Sequence, residues 1–315
     1  PRYNNPGTQV IPNHSLFSWT PADGQHIYCA WISQIIFYLL YKLNALPLIF
    51  ILRYLVLSIF IIVIILHARR NNVLSHPLTL FIILLGSLMV HTGLQIRPEM
   101  FSLLLMTAIV FLWWKIKALS DDKYLYCYLF PLLILVWVNT HGAVIFGVAF
   151  LALLAFGEIL NGFLSRDEML SVQIRKHFFF SFILSLFSIF ITPYWHRYPI
   201  YLMNNLVSNR DAYKHIIEFN SIFTEVFKDD LFVELGFISL MIVAFLLLSR
   251  FGRRKIDWSF VVPSIFFIAL YVRFLRTTYF WGIIFVFGSI SALSSLAQGN
   301  ASWFYRSRLV KFSSI

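Results

Sequence analysis

The chain has 315 residues, 59% of them hydrophobic and only 12% charged, with a mean hydropathy of +0.77. Soluble domains are about 45–50% apolar and about 25% charged, so this composition excludes a water-soluble domain, and so many large apolar side chains exclude a disordered one. The net charge of +11 is no nucleic-acid footprint, because the basic residues sit in short clusters between apolar runs, where they act as topology signals.

The chain starts at Pro1 rather than Met, so a further N-terminal part is expected ahead of it. The stretch 27–41 is apolar but short and carries Trp31, Ser33, Gln34 and several Tyr, which predicts an interfacial helix. Nine longer runs follow, at roughly 46–66, 77–94, 99–118, 124–139, 143–164, 176–194, 231–250, 257–272 and 277–298. About 20 helical residues cross a hydrocarbon core of about 30 Å. None of the runs alternates every second residue, so helices rather than strands are expected. The connection 195–230 is long and carries Arg197, Arg210, Asp211, Glu218, Glu225, Asp229 and Asp230 among aromatics. It reads as a small folded cap. The predicted fold is an all-α integral membrane protein, a bundle of about nine transmembrane helices with an interfacial N-terminal helix and an external loop or cap. Its parts are 1–45, 46–194 (six helices), 195–230 and 231–315 (three helices and a tail).

Orientation follows from Lys and Arg. One set of loop ends holds Arg69, Arg70, Lys115, Lys117, Lys123, Arg166, Arg175, Lys176, Arg250, Arg253, Arg254, Lys255, Arg306, Arg308 and Lys311. The other holds Arg2, Arg97, Arg197, Arg210, Lys214, Lys228, Arg273 and Arg276. The larger set is expected in the cytoplasm, with the N-terminal segment outside and the C-terminus inside. Cys29 and Cys127 then lie near opposite faces and cannot pair.

The outward ends collect polar groups that topology does not require: His91, Arg97 and Glu99; Asn139, Thr140 and His141; Thr192, Tyr194 and His196; Glu218; Arg273 and Arg276. Ionisable residues at helix ends are costly unless they pair, snorkel or line a wet cavity. Several connections feeding one face is the pattern of a site. Ordinary readings stand beside it. Arg97-Pro98-Glu99 also suits a turn, as does Asn139-Thr140-His141-Gly142. Arg273 and Arg276, on one helical face, suit phosphate recognition or headgroup snorkelling equally. Asp229-Asp230 reads as solvated rather than metal-binding, and the sequon Asn13-His14-Ser15 is weak. Arg53 and Glu158 lie within spans near their ends and receive no chemistry. There is no phosphate-cradling Gly loop, HExxH, GxSxG or CxxC, and no acid at mid-span to serve as a proton relay.

The outward motifs also occur in a recognisable order. Pro12 with Phe17-Ser18-Trp19-Thr20 is followed by Trp31-Ile32-Ser33-Gln34, Arg97-Pro98-Glu99-Met100-Phe101-Ser102 and Trp137-Val138-Asn139-Thr140-His141-Gly142. Thr192-Pro193-Tyr194, Ile217-Glu218-Phe219 and the arginines before the last span complete the series. This resembles a family of bacterial multi-spanning proteins related to the glycosyltransferase C superfamily, with its "RPxxFS", "WxNxHG", "NPYG" and "I-x-E-W/F" elements. The resemblance covers nearly the whole chain. It implies transfer of a sugar from a polyprenyl-phosphate donor at the outer face of a bacterial cytoplasmic membrane. Glu218 or Glu99 would deprotonate or orient the acceptor, and Arg97, Arg273, Arg276 and His141 would meet the phosphate, with Asn139 beside them. The chain departs from the pattern where Ser15 stands for an expected Asp, Ala30 for a Glu and Thr192 for an Asn. The superfamily's best-known acid, just after its first span, would precede Pro1.

Two function classes stay open: a lipid-linked sugar transferase, and a non-catalytic subunit of the same descent that scaffolds a larger membrane complex. The pattern calls for no cofactor, and a divalent cation has no assignable ligand set. The expected partners are membrane lipids, a polyprenyl-phosphate-linked sugar for an enzyme, and other membrane subunits for a scaffold; nucleic acid is not among them.

Overall fold

The computed structural model describes residues 27–44, 46–118, 121–208, 217–224, 230–251 and 256–299. The motif Phe17-Ser18-Trp19-Thr20, the sequon at Asn13, and Ser15, Arg210, Glu225 and Asp229 lie outside the described residues. Among the described residues every element is helical. They are α1 (Trp31–Asn44), α2 (Leu46–Arg70), α3 (Pro77–Val90), α4 (Glu99–Ile116), α5 (Leu129–Thr140), α6 (Val144–Leu164), α7 (Val172–Ser188) and α8 (Arg197–Ser208). Three more follow: α9 (Leu231–Phe251), α10 (Trp258–Arg273) and α11 (Thr278–Gly299). Short 3-10 turns join several of them.

A helix therefore stands at each of the nine apolar runs. Six segments are long and apolar enough to cross a membrane by themselves: Leu46–Arg70, Pro77–Leu94, Glu99–Ile116, Lys123–Thr140, Val144–Leu164 and Leu275–Leu296. That makes the chain a multi-pass membrane protein. α7 is 17 residues long and opens with Gln173, Arg175, Lys176 and His177, so its apolar part is shorter than the run 176–194 suggests. The cause is local: the chain turns at Ile189–Trp195 and restarts as the amphipathic α8.

Local chemistry sets the helix ends. α2 stops at Asn71-Asn72: Asn72 takes the left-handed conformation (φ 58°), and the amides of Asn72 and Val73 bond back to Arg69 and Ala68 carbonyls. This is the usual way a helix closes with Asn or Gly just past its end. α3 starts at a Pro after His76, whose ring nitrogen accepts from Leu78 N. Asp257 caps α10 by accepting from Ser259 N at 3.0 Å.

α11 is the axis of the bundle. In the span that contains it, 83% of the apolar window is buried, against 22% for α2 at the periphery. It packs on α2, α3, α4, α9 and α10. Hydrocarbon offers little hydrophobic drive between helices, so close approach through small residues does the packing. A Cβ on Gly86 of α3 would lie 1.8 Å from Val286 of α11, so this contact requires glycine. His67 pins α2 to the axis, with Nε2 3.2 Å from Phe287 O and 3.0 Å from Ser291 Oγ.

α6 and α10 pack so closely that a Cβ on Gly157 would sit 2.5 Å from Ser259 Cα. Beside this contact lies a buried charge cluster. Lys117, just past α4, donates to Asp257 Oδ2 at 2.9 Å, to Glu158 Oε1 at 3.4 Å and to the Glu168 carbonyl at 2.7 Å. Asn161 Nδ2 donates to both carboxylates, and Leu170 N donates to Glu158 Oε2 at 2.9 Å. The Glu158 side chain has no exposed surface. The clamp joins the ends of α4 and α6 to the start of α10.

Removing one member of a buried ion pair leaves its partner charged and unsolvated, a loss of about 3–5 kcal/mol. Lys117→Met leaves two buried carboxylates and should lower the Tm in detergent by many degrees, measured by thermal unfolding. Lys117→Arg should lose much less. Equal melting of Lys117→Met and the parent chain would contradict the clamp.

Candidate functional site

The opposite end of the bundle gathers the polar motifs. Two of them bind each other. Trp31 Nε1 donates to Asn139 Oδ1 at 3.0 Å, and Ser33 Oγ donates to the Thr140 carbonyl at 2.6 Å. The Thr192-Pro193-Tyr194 turn joins them, because Tyr28 N donates to the Tyr194 hydroxyl at 3.1 Å. α10 ends at Phe274, and the 3-10 turn Leu275–Thr277 leads into α11. The end of α10 and this turn together hold the segment bearing Glu218. Ser221 Oγ and Ile222 N donate to the Val272 carbonyl at 2.9 and 3.2 Å, and Leu275 N donates to the Asn220 carbonyl at 3.2 Å.

Four charged groups follow in sequence from the protein's edge to its interior. Arg97 Nη1 lies 3.8 Å from Glu218 Oε1, and Arg276 Nη1 lies 3.4 Å from Glu218 Oε2. Arg276 Nε donates to Glu99 Oε1 at 2.6 Å, and its Nη2 reaches the same oxygen. The Arg276 guanidinium also lies 5.0 Å from the centre of the Phe219 ring. Glu99 is buried at the first residue of α4, where the helix N-terminus favours a negative charge. Arg97 and Glu218 keep 52% and 39% of their side-chain surface exposed, so their contact contributes little on its own. Arg276 is thus fixed on its inner side and loosely held on its outer side.

His141 stands at the same end, its ring oriented by a serine. Trp137 Nε1 donates to Ser102 Oγ at 2.8 Å, and an indole can only donate. The Ser102 hydroxyl also lies 2.7 Å from His141 Nδ1; a hydroxyl accepts twice as well as donating once, so this contact orients the ring without setting which nitrogen carries its hydrogen. Burial, with the nearby Arg276 charge, lowers the His141 pKa to about 4. At neutral pH the ring is therefore uncharged.

The structure thus brings together Arg97, Glu99, Glu218 and Arg276, with His141 close enough to feel the Arg276 charge. Asn139 is engaged elsewhere: besides accepting from Trp31, its Nδ2 donates to the Leu135 and Ile191 carbonyls at 2.9 and 3.0 Å. It ties α5 to α1 and to the end of α7. Arg273 is exposed and lies over the Phe274 ring, 4.8 Å from its centre, away from the network. Sequence reasoning overlooked the roles of Ser102 and Trp137, although a signal existed. Glu99 and Ser102 are three residues apart at the start of one helix and so share a face. No group of three His, Cys, Asp or Glu among the described residues could hold a metal ion. A cavity of about 150 Å³ at the Lys117 end is lined by Lys117, Asp167, Glu168 and Ser171.

Comparisons with protein-family models, curated proteins and solved structures give no match.

A histidine with a lowered pKa makes stability fall with acid. The unfolded chain takes up its proton near pH 6.5, whereas the folded chain resists until about pH 4. Stability present above pH 6.5 is therefore lost progressively as the pH falls from 6.5 to 4. His141→Gln should flatten that part of the curve, read as a smaller Tm difference between pH 7.5 and 4.5. An unchanged slope would mean that the ring is not held neutral.

Proposed function

We propose that this chain is a membrane glycosyltransferase similar to the glycosyltransferase C superfamily, using a polyprenyl-phosphate-linked sugar at the outer face of a bacterial cytoplasmic membrane. In this reading the Arg276 end faces outward and the Lys117 end faces the cytoplasm, in keeping with the Lys and Arg asymmetry. The observation that carries the proposal is the Glu218 carboxylate held between Arg276 and Arg97. A carboxylate bridging two guanidinium groups occupies the place that suits a phosphate, whose oxygens match the same planar forks. A donor phosphate would displace Glu218 from this bridge. Arg276, anchored by Glu99, would stay in position to meet the leaving phosphate, beside the neutral His141 ring. The displaced Glu218 would then be free to accept the proton of the acceptor hydroxyl.

A second reading, a non-catalytic subunit within a larger membrane complex, is favoured by the saturated bonding of Asn139 and by the internal neutrality of the four-residue network. There the same contacts would lock the end of the bundle as a scaffold.

Transfer of radiolabelled sugar from a polyprenyl-phosphate donor, measured in membranes, tests the proposal. Arg97→Ala and Glu218→Gln alter exposed groups and should preserve the fold. Each should lower the rate roughly 30- to 1,000-fold, the usual loss for one transition-state contact. Arg276→Lys should fall in the same range, because it keeps a charge for Glu99 but loses the fork. Normal transfer by the Arg97→Ala/Arg276→Lys double variant would rule out the phosphate role. Stable co-purification with other membrane subunits, unaffected by all of these changes and without transfer, would support the scaffold.

A further inference from the structure

A second arginine stands apart from this network. Arg53 lies in the peripheral helix α2, seven residues from its start at Leu46, or about 10 Å along the axis. α2 is longer than the hydrocarbon core requires, so this depth falls just inside the boundary at the Arg276 end. Arg53 Nη2 lies 3.0 Å from Nε2 of His91, at the end of α3. A guanidinium can only donate, so His91 accepts through Nε2 and carries its hydrogen on Nδ1.

The pair is incomplete as a charge arrangement. Among the described residues Arg53 has no carboxylate partner, and its Nε is buried without a hydrogen-bond partner. A guanidinium near hydrocarbon with unused donors is costly unless an anion meets it. The surroundings say where that anion would come from. His91 is exposed on this flank, and around the pair the side chains of Phe50 (43%), Tyr54 (61%), Leu84 (59%) and Leu88 (41%) are exposed. An apolar flank of this kind suits acyl chains rather than water.

We infer that Arg53 and His91 form a binding site for the phosphate of a membrane lipid, entered sideways from the bilayer. The unused donors of Arg53 and the Nδ1–H of His91 would bind the phosphate oxygens, and the acyl chains would lie along the exposed faces of α2 and α3. A lipid-borne phosphate is favoured over a free one because the surrounding surface is apolar. The site is separate from the Glu218 network and does not depend on the proposed transfer.

The test is retention of phosphatidic acid by the intact chain in nanodiscs of phosphatidylcholine, measured by native mass spectrometry. The parent chain should retain phosphatidic acid in clear preference to phosphatidylcholine. Arg53→Gln and His91→Gln should each reduce that preference about tenfold, the effect of one lost charge-assisted hydrogen bond. Arg69→Gln, at an exposed boundary position of the same helix's far end, should change nothing. If Arg53→Gln does not fold, Arg53→Lys, which keeps the charge without the fork, should still weaken retention, and His91→Gln gives an independent reading. An unchanged preference in Arg53→Gln or His91→Gln would overturn the site. Equal loss in Arg69→Gln would reduce it to general headgroup attraction. Displacement of the lipid by millimolar inorganic phosphate would show that the anion need not be lipid-borne.

Discussion

In hydrocarbon, a backbone or side-chain polar group left without a partner has no water to turn to, and this constraint orders the whole molecule. It makes every described element a helix. It also confines charge to the two ends, where chains of side chains neutralise one another: Arg97, Glu218, Arg276 and Glu99 at one end, and Lys117, Glu158 and Asp257 at the other. Most of the remaining buried polar side chains are small hydroxyls, several of them bonded to carbonyls of their own helices, as Thr107 is to Leu103 and Ser185 to Ser181, while His67 and Asn139 bond from one helix to another segment.

The two charged layers differ in character. The Lys117 clamp is buried, and its carboxylates are also bonded by Asn161, Ser259 and the Leu170 amide. It has the saturation expected of a structural joint. The Arg276 layer is graded, firm at buried Glu99 and loose at half-exposed Glu218. Only the second can exchange a partner at modest cost, which is why the functional reading settles there.

Much of this was legible from residue order alone. Apolar runs of sufficient length placed the helices, because spanning length is a direct count of residues. That Arg97, Glu99, His141, Glu218 and Arg276 belong to one end followed from polar residues recurring at that end of successive connections; that four of them pair with one another did not. The individual roles were not legible. Nothing in the sequence distinguishes an Asn139 whose amide is consumed by α1 and the end of α7 from one that faces a ligand, since that depends on how the helices rotate about their axes. Rotation likewise separates Arg273 from Arg276, although they are three residues apart. A break in the backbone at Phe274, where α10 ends, turns the two side chains to different surroundings. Glu158 was passed over for a related reason. Its ion partner Lys117 is 41 residues away, and the Asp257 that shares that ammonium is 140 residues from Lys117, so only packing brings the three together.

The position of Arg276 just before the axial helix has a mechanical meaning. α11 is 22 residues long, or roughly 33 Å, so a tilt of about 5° about its far end would carry Arg276 sideways by roughly 3 Å. That displacement equals the length of a hydrogen bond. The helix is a lever whose short strokes in the core become whole contacts made or lost at the rim. Bulk added at Gly86, where α3 meets α11, would therefore act on the Glu218 bridge at a distance, without touching any residue of the charged network.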